Sequence, residues 1–192
     1  MYYKEEFEKR INIFSEICDS KLDQLKDIED LIVEAISNGN KVLTAGNGGS
    51  AANAQHITGD IVGRYKIERD GWPAVSLTVD PSVVTALSND YGYERVFERQ
   101  VEAFGNEGDL LIVLSSSATS KNLVEAAIKA KKKGLKVIGV LGNNGGDLAD
   151  LVDLGVFFDF KESDLVEETS MAIFHIVLIG VEKRLVELKE VK

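Results

Sequence analysis

The feature that most constrains the fold is a change of hydrophobic period at residue 41. From there to residue 160, short apolar runs alternate with stretches of helical spacing. The runs that predict strands are 42–45, 74–79, 110–115, 136–141 and 154–158. Because these runs are continuous rather than alternating, each strand is expected to be covered on both faces. The sequence therefore predicts α/β architecture, with a mostly five-stranded parallel sheet doubly wound between two helical layers.

Helical spacing continues on both sides of this 41–160 sheet core. Residues 1–37 predict an N-terminal helical arm that breaks into two helices near Asp19 and Ser20, and residues 164–192 predict one long amphipathic helix. Within the core, helices are expected to begin near Ser50, Pro81, Glu94, Ser120 and Gly146. An apolar two-helix arm cannot cover its own surface, so it must pack on the sheet layer or on another subunit. We expect one domain over residues 1–192 that oligomerises through helices.

Charge and composition exclude several classes of protein. A formal net charge of −10 argues against non-specific nucleic-acid binding, which requires a basic face. No apolar run reaches the roughly 18 residues that predict a membrane span, and the first ten residues lack the apolar core of a signal peptide. Cys18 is the single cysteine, which excludes an intrachain disulfide. We expect a cytoplasmic protein with neither a nucleic acid nor a membrane as partner.

The first candidate site is the glycine-rich stretch AGNGGSAA that follows the 42–45 strand. Ligands of parallel sheets bind beyond the carboxyl ends of the strands. Gly46, Gly48 and Gly49 permit a tight turn, and Ser50 can cap a helix whose free N–H groups attract an anion. No lysine follows the glycines, and the match to a dinucleotide fingerprint is partial. A helix-capping turn without a ligand is therefore also compatible with this loop.

The second candidate loop is LSSSATSKN at 114–122, which follows the 110–115 strand and opens a helix. Its hydroxyl groups and free amide N–H groups can surround a phosphate without arginine or lysine. A helix cap requires one hydroxyl, whereas this loop supplies several. Two such loops at the carboxyl ends of strands indicate a phosphorylated small molecule as ligand.

The two histidines of the chain, His56 and His175, are the next candidates. His56 lies four residues before Asp60, so a helix places both on one face. His175 lies in the predicted terminal helix, about two turns after Glu167. In isolation, a surface pair and a buried core histidine are the simpler interpretations. If the four side chains meet, they can form a metal site, most commonly for zinc, or a metal-free acid–base pair.

Three segments carry a resemblance to a known family: AGNGGSAANAQH, then GRY at 63–65, then the segment at 86–120 with its NDYGYE motif. Together they resemble the phosphoheptose isomerases, sugar-isomerase (SIS) domain proteins that convert sedoheptulose 7-phosphate to D-glycero-D-manno-heptose 7-phosphate, a heptose precursor. The resemblance covers nearly the whole chain. It implies a homotetramer with active sites between subunits, and a zinc ion in some members.

The resemblance also implies roles for individual residues. It suggests Asp60 as base and His175 as partner acid or base, and a zinc site formed by His56, Asp60, Glu167 and His175. The residues implied to bind the sugar phosphate are Asn47, Gly48, Gly49, Ser50, Arg64, Asp90, Ser115, Ser116, Ser117, Ser120 and Glu167.

This chain departs from the family pattern at three places. Asp60 stands where the family usually has glutamate, Glu167 stands where it usually has glutamine, and SSSATS replaces the usual STSGNS. A carboxylate set back by about 1 Å can slow a reaction on the order of 10²-fold. Two alternatives therefore stay open. One is a non-catalytic SIS protein that binds a replication initiator, although those proteins lack the Asp60-type acid and the second histidine. The other is an isomerase or binding protein for a different phosphorylated sugar.

Overall fold

The structure, a computed structural model, describes residues 1–190 of the chain and contains one five-stranded sheet. Its strands are β1 (Val42–Gly46), β2 (Ala74–Ser76), β3 (Leu110–Ser115), β4 (Lys136–Leu141) and β5 (Leu154–Phe157). They are parallel throughout and lie in the order β2-β1-β3-β4-β5. The predicted doubly wound sheet is therefore confirmed.

Seven α-helices accompany the sheet in the described part of the chain. They are α1 (Tyr2–Ser20), α2 (Leu22–Ser37), α3 (Gly49–Val62), α4 (Pro81–Tyr91), α5 (Val96–Phe104), α6 (Lys121–Lys132) and α7 (Ser163–Glu190). Short 3₁₀ segments cover Tyr93–Arg95 and Asn143–Leu148. The terminal helix was predicted to reach residue 192, and its last two residues lie outside the described residues. No helix within residues 1–190 is both long and apolar enough to cross a membrane.

Alternate residues of the central strands point to opposite helical layers, as the pleat requires. In β3, Leu110, Ile112 and Leu114 pack with residues of α2, α3 and α7. Leu111 and Val113 pack with residues of α5 and α6 on the other face. Both faces of the sheet are thus buried, which explains why its strands are continuous apolar runs.

Two elements differ from the sequence-based expectation, and each difference has a local cause. The second strand ends at Ser76, not at residue 79, because residues 77–79 form a turn. Asp80 follows this turn, accepts hydrogen bonds from the N–H groups of Ser82 and Val83, and caps α4 at its expected start. The helix expected near Gly146 is a 3₁₀ segment. Its residues 144–146 have φ values of 53°, 85° and 43°, which an α-helix does not accommodate.

The two helices of the predicted arm pack differently. α2 buries six of its side chains and joins the layer formed with α3 and α7. α1 buries Ile17 but leaves Tyr3, Phe7 and Ile11 more than half exposed. The break between them falls at Lys21, just after the expected Asp19 and Ser20. Thus α2 belongs to the sheet core, and α1 alone projects as an arm.

Candidate active site

The strand order reverses between β1 and β3, and this switch point brings the two candidate loops together. Gly46 at the end of β1 pairs in register with Leu114 of β3. The chain leaves β1 into Asn47 and leaves β3 into the serine loop, so both loops start at one crevice. Ligands of open parallel sheets bind at such a crevice.

A network of side chains spans the crevice from Asn47. Asn122 is the second residue of α6. Its side-chain amide and that of Asn47 exchange hydrogen bonds of 3.0 and 2.8 Å. The Tyr93 hydroxyl donates to Asn47 Oδ1 at 2.9 Å. Lys121 and Ser120 line the same cleft, whose volume is about 330 Å³. The sequence analysis missed Tyr93, Lys121 and Asn122, since only tertiary packing turns them toward Asn47.

The glycine loop turns as its sequence requires, but its first helical residue faces a carboxylate. Gly48 has φ of +59° and precedes α3. A Cβ on Gly49 would overlap the carboxylate of Glu167, which reaches from α7 to the start of α3. Asn53 of α3 donates to the Glu167 carbonyl at 2.9 Å and holds the two helices at this spacing. Ser50 is buried beside this contact.

The serine loop has one buried hydroxyl-bearing residue and four accessible ones, of which Thr119 is exposed. Ser115 is buried, and its Oγ accepts a hydrogen bond from the Ala118 N–H at 3.0 Å. Ser116 and Ser120 are partly exposed, and Ser117 is exposed. Ser120 is the N-cap residue that precedes α6, and its side chain makes no cap hydrogen bond to the helix. The amino end of α6 therefore keeps free N–H groups and an unused hydroxyl for an anion.

The second cluster lies where α7 packs against α3. His56 and Asp60 stand one turn apart on α3, and His175 approaches from α7. The Nε2 atoms of the two imidazoles are 3.4 Å apart. Asp60 Oδ2 lies 3.7 Å from His56 Nε2 and 3.8 Å from His175 Nε2. The structure therefore brings together both predicted histidines and one predicted carboxylate.

These three side chains fit a metal ion on two grounds. Asp60 Oδ2 is buried and has no hydrogen-bond partner among residues 1–190, and a buried polar atom without a partner is costly. The ligand atoms of His56, Asp60 and His175 also lie within 4.8 Å of one another. Donors in tetrahedral zinc sites are separated by roughly 3.3 Å, close to the observed spacings. Two imidazoles and one carboxylate are a common donor set of catalytic zinc, which keeps one position open.

The remaining predicted residues lie apart from this trio. Glu167 faces Gly49 and is not part of the group whose ligand atoms fall within 4.8 Å. Arg64 is exposed and pairs with Glu68 at 3.1 Å. Asp90 is exposed and accepts a hydrogen bond from Asn89. Within this one chain, the contacts of Arg64 and Asp90 are local.

A third set of residues borders the trio and was not identified from the sequence. The Tyr65 ring stacks on His175, with centroids 5.5 Å apart and planes at 13°. Glu182 of α7 accepts the N–H groups of residues 65–67, and Arg69 pairs with it. Burial raises the pKa of the Glu182 carboxyl, but these four hydrogen bonds outweigh it and hold that pKa below its ordinary value. The local spacing of these residues carries no signal of the contact.

Comparison with known proteins identifies the family of this chain. The SIS domain family matches residues 6–142. Phosphoheptose isomerase of Geobacter sulfurreducens is 44% identical over 84% of this chain and 86% of its own length. Phosphoheptose isomerase of Geotalea daltonii is 40% identical over 94% and 96%.

A solved structure agrees equally well over the whole fold. The phosphoheptose isomerase of Francisella tularensis superposes with a TM-score of 0.91 at 30% identity, covering 95% of this chain and 97% of its own. The resemblance inferred from three sequence motifs is thus confirmed across α1 to α7. The chain belongs to the phosphoheptose isomerase family of SIS-domain proteins.

Proposed function

We propose that this sugar-phosphate isomerase converts sedoheptulose 7-phosphate to D-glycero-D-manno-heptose 7-phosphate, in the synthesis of heptose precursors. The observation that carries the proposal is the convergence of His56, Asp60 and His175, with Asp60 Oδ2 buried and unpaired within the described chain. The relatives with this name support the same substrate. The pattern of initiator-binding SIS proteins lacks the Asp60-type acid and the second histidine, so the cluster favours the enzyme.

The reaction is an aldose–ketose isomerisation through an enediol. Asp60 removes the proton from carbon 1 of the open-chain ketose, and the electron pair moves into the bond between carbons 1 and 2. His175 gives a proton to the oxygen on carbon 2, which completes the enediol. His175 then takes the proton from the oxygen on carbon 1 while Asp60 returns its proton to carbon 2. Proton transfer by a positioned side chain contributes about 10²–10⁴-fold.

The crevice between β1 and β3 is the proposed site of the phosphate end. Ser116, Ser117 and Ser120, with the free N–H groups of α6, offer donors to the phosphate oxygens. Lys121 lines the cleft and adds a cation. We include Asn47, Gly48, Gly49, Ser50 and Ser115 in this site as the residues that shape it.

We further propose a zinc ion, held by His56, Asp60 and His175. When bound, zinc would polarise the substrate carbonyl and stabilise negative charge on its oxygen. As metal ligands, Asp60 would be a weaker base and the bound nitrogen of His175 could not transfer a proton, so the metal-binding and proton-transfer roles compete. We propose Glu167 either as a fourth ligand of the ion or as a contact to the substrate.

The active sites are proposed to lie between the subunits of a homotetramer in the cytoplasm. Tyr3, Phe7 and Ile11 leave an apolar face of α1 exposed, and a second copy of the chain would cover it. In such an assembly a neighbouring subunit would bring Arg64 and Asp90 to the substrate. Light scattering should give four times the 21.0 kDa chain mass. A monomer at micromolar concentration would contradict this part of the proposal.

The experiment that tests the activity is direct. Purified protein is incubated with sedoheptulose 7-phosphate, with and without added zinc, and the aldoheptose phosphate is followed by NMR. Formation of the aldoheptose, lost in Asp60→Asn, supports the assignment. Absence of conversion in both conditions rejects it, and screening other ketose phosphates would then identify a different substrate.

A further inference from the structure

A buried carboxylate holds the irregular loop that connects α3 to β2. Glu182 lies on α7 with 1% of its surface exposed. Its oxygens accept the backbone N–H groups of Tyr65, Lys66 and Ile67 at 2.9, 2.6 and 2.9 Å. Three successive N–H groups on one carboxylate fix the path of this part of the loop, because each would otherwise need water or another acceptor.

Arg69 completes this arrangement from the loop side. Its Nε donates to Glu182 Oε1 at 2.9 Å. Its other nitrogens donate to the carbonyl oxygens of Asp60, Ile61, Gly63 and Asp70 at 2.8–3.1 Å. The first three of these carbonyls belong to the last turn of α3 and its C-cap, where no helical N–H is available to them. The guanidinium also lies 3.5 Å from the centre of the Trp72 ring.

This ion pair therefore connects to two members of the His56–Asp60–His175 trio, Asp60 and His175. It holds the carbonyl of Asp60 through Arg69, and it holds Tyr65 through the loop N–H groups. Tyr65 in turn stacks on His175. Glu182 itself lies seven residues after His175 on α7, about two helical turns away and on the same face. The pair thus connects α3, α7 and the loop at the point where the trio meets.

A buried ion pair is weak evidence for a role in stability alone, since apolar substitutes of similar volume are often as stable. The chain offers a comparison in Asp109, which is also 1% exposed. Asp109 accepts the N–H groups of Lys41 and Asn106 and pairs with the Lys41 ammonium. It lies just before β3, and its partners in these bonds belong to neither the trio nor Tyr65. Of the two carboxylates, Glu182 is the one that connects to the candidate active site, through Arg69 to the Asp60 carbonyl and directly to the Tyr65 N–H.

We propose that Glu182 and Arg69 are positioning residues for the reaction, which keep Tyr65 against His175 and thereby set the orientation of that imidazole. The expected effect on kcat rests on the proposed function, whereas the expected effect on the orientation of His175 does not. Partners that orient metal-binding or catalytic side chains typically change affinity or activity by 10–100-fold when removed. We therefore expect Glu182→Gln to lower kcat by about 10–100-fold with a smaller change in KM.

The first test measures the orientation of His175 without any metal or substrate. The chain has two histidines, so ¹³C-labelled imidazole gives two signals, which His56→Gln assigns. A stacked tyrosine ring shifts the neighbouring His175 signal upfield. We expect Tyr65→Leu and Glu182→Gln to move that signal downfield, and Tyr65→Phe and Asp109→Asn to leave it in place.

The second test measures the trio as a ligand set, with Co²⁺ as the probe. Cobalt binding is followed by visible absorption in the wild type, Glu182→Gln and Asp109→Asn. We expect a 10–100-fold weaker Kd in Glu182→Gln and an unchanged Kd in Asp109→Asn. Thermal unfolding of the same samples identifies variants that are merely unfolded.

Arg69→Lys is the second variant if Glu182→Gln does not fold, because lysine keeps the charge but cannot bond several carbonyls at once. A His175 signal at its wild-type position in a folded Glu182→Gln or Arg69→Lys variant would overturn the proposal. If the wild type does not isomerise the heptose phosphate, the proposed function fails while the imidazole signal still decides the positioning role. If the wild type does not bind Co²⁺, the imidazole signal of His175 and the kcat of the variants decide the positioning role.

Discussion

Two carboxylates of the molecule differ in how their buried oxygens are paired. Asp109, just before β3, accepts two backbone N–H groups and the Lys41 ammonium. In the last turn of α3, one oxygen of Asp60 is buried without a partner in residues 1–190. A buried oxygen without a hydrogen bond costs free energy, so we infer that Asp60 Oδ2 is paired when a ligand binds. The difference separates a carboxylate that stabilises the fold from one that serves a ligand.

The largest expected effect comes from Asp60→Asn, which removes the proposed base. We expect kcat to fall on the order of 10²–10⁴-fold. The melting temperature should stay the same or rise, because Oδ2 makes no hydrogen bond that the substitution would remove. Steady-state kinetics and calorimetry on one preparation measure both. A marked loss of stability would mean that Asp60 resembles Asp109 after all.

The converse substitution, Asp109→Asn, should act on stability and spare activity. Both oxygens of Asp109 accept hydrogen bonds, whereas the NH₂ group of asparagine would face N–H or ammonium donors and could not accept from them. We therefore expect a loss of about 1–3 kcal/mol in the free energy of unfolding. Urea denaturation at pH 7 measures this loss, and kcat at 25 °C is the control. An unchanged unfolding midpoint, or a kcat that falls with stability, would remove the contrast between Asp109 and Asp60.

Acid should weaken the contribution of Asp109 in a defined direction. Burial raises the pKa of Asp109, but hydrogen bonds from the N–H and ammonium groups of Lys41 and the Asn106 N–H hold it below the ordinary 3.8. The unfolded state therefore binds the proton first as pH falls. The contribution of Asp109 is complete above pH 3.8 and is lost as pH falls through the lower folded value.

Urea midpoints measured between pH 6 and pH 3 test this sign. The wild type should lose stability more steeply than Asp109→Asn at the acid end, by at most about 1.4 kcal/mol per pH unit for one carboxyl group. A steeper acid loss in the variant than in the wild type would be inconsistent with a lowered pKa of Asp109.

The smallest expected effect lies in the serine loop at the carboxyl edge. Ala118 has φ of 55°, a conformation that favours glycine, and it stands where the family pattern has glycine. Ala118→Gly relieves the strain, but it loses a buried methyl group and adds freedom to the unfolded chain. We expect these effects to leave the free energy of unfolding within about 1 kcal/mol of the wild type. A larger change would show that one of them dominates.

The arm shows how far hydrophobic period can predict structure. Residues of helical spacing occur in both α1 and α2, and the helices form as predicted with a break at Lys21. The same pattern did not reveal that α2 is buried against the sheet while Phe7 and Ile11 of α1 are exposed. The hydrophobic period predicts which face of a helix is apolar, but it does not predict which surface covers that face.

The sequence by itself determined the α/β class, the position of the two loops and the His56–Asp60 pair, because each depends on spacing within one element. Only the tertiary structure decided that His175 meets this pair, that Glu167 faces Gly49, and that Tyr65 stacks on His175. These contacts join residues more than 100 positions apart in the chain. They follow from how α7 packs across α3, which depends on many buried side chains together rather than on any short motif.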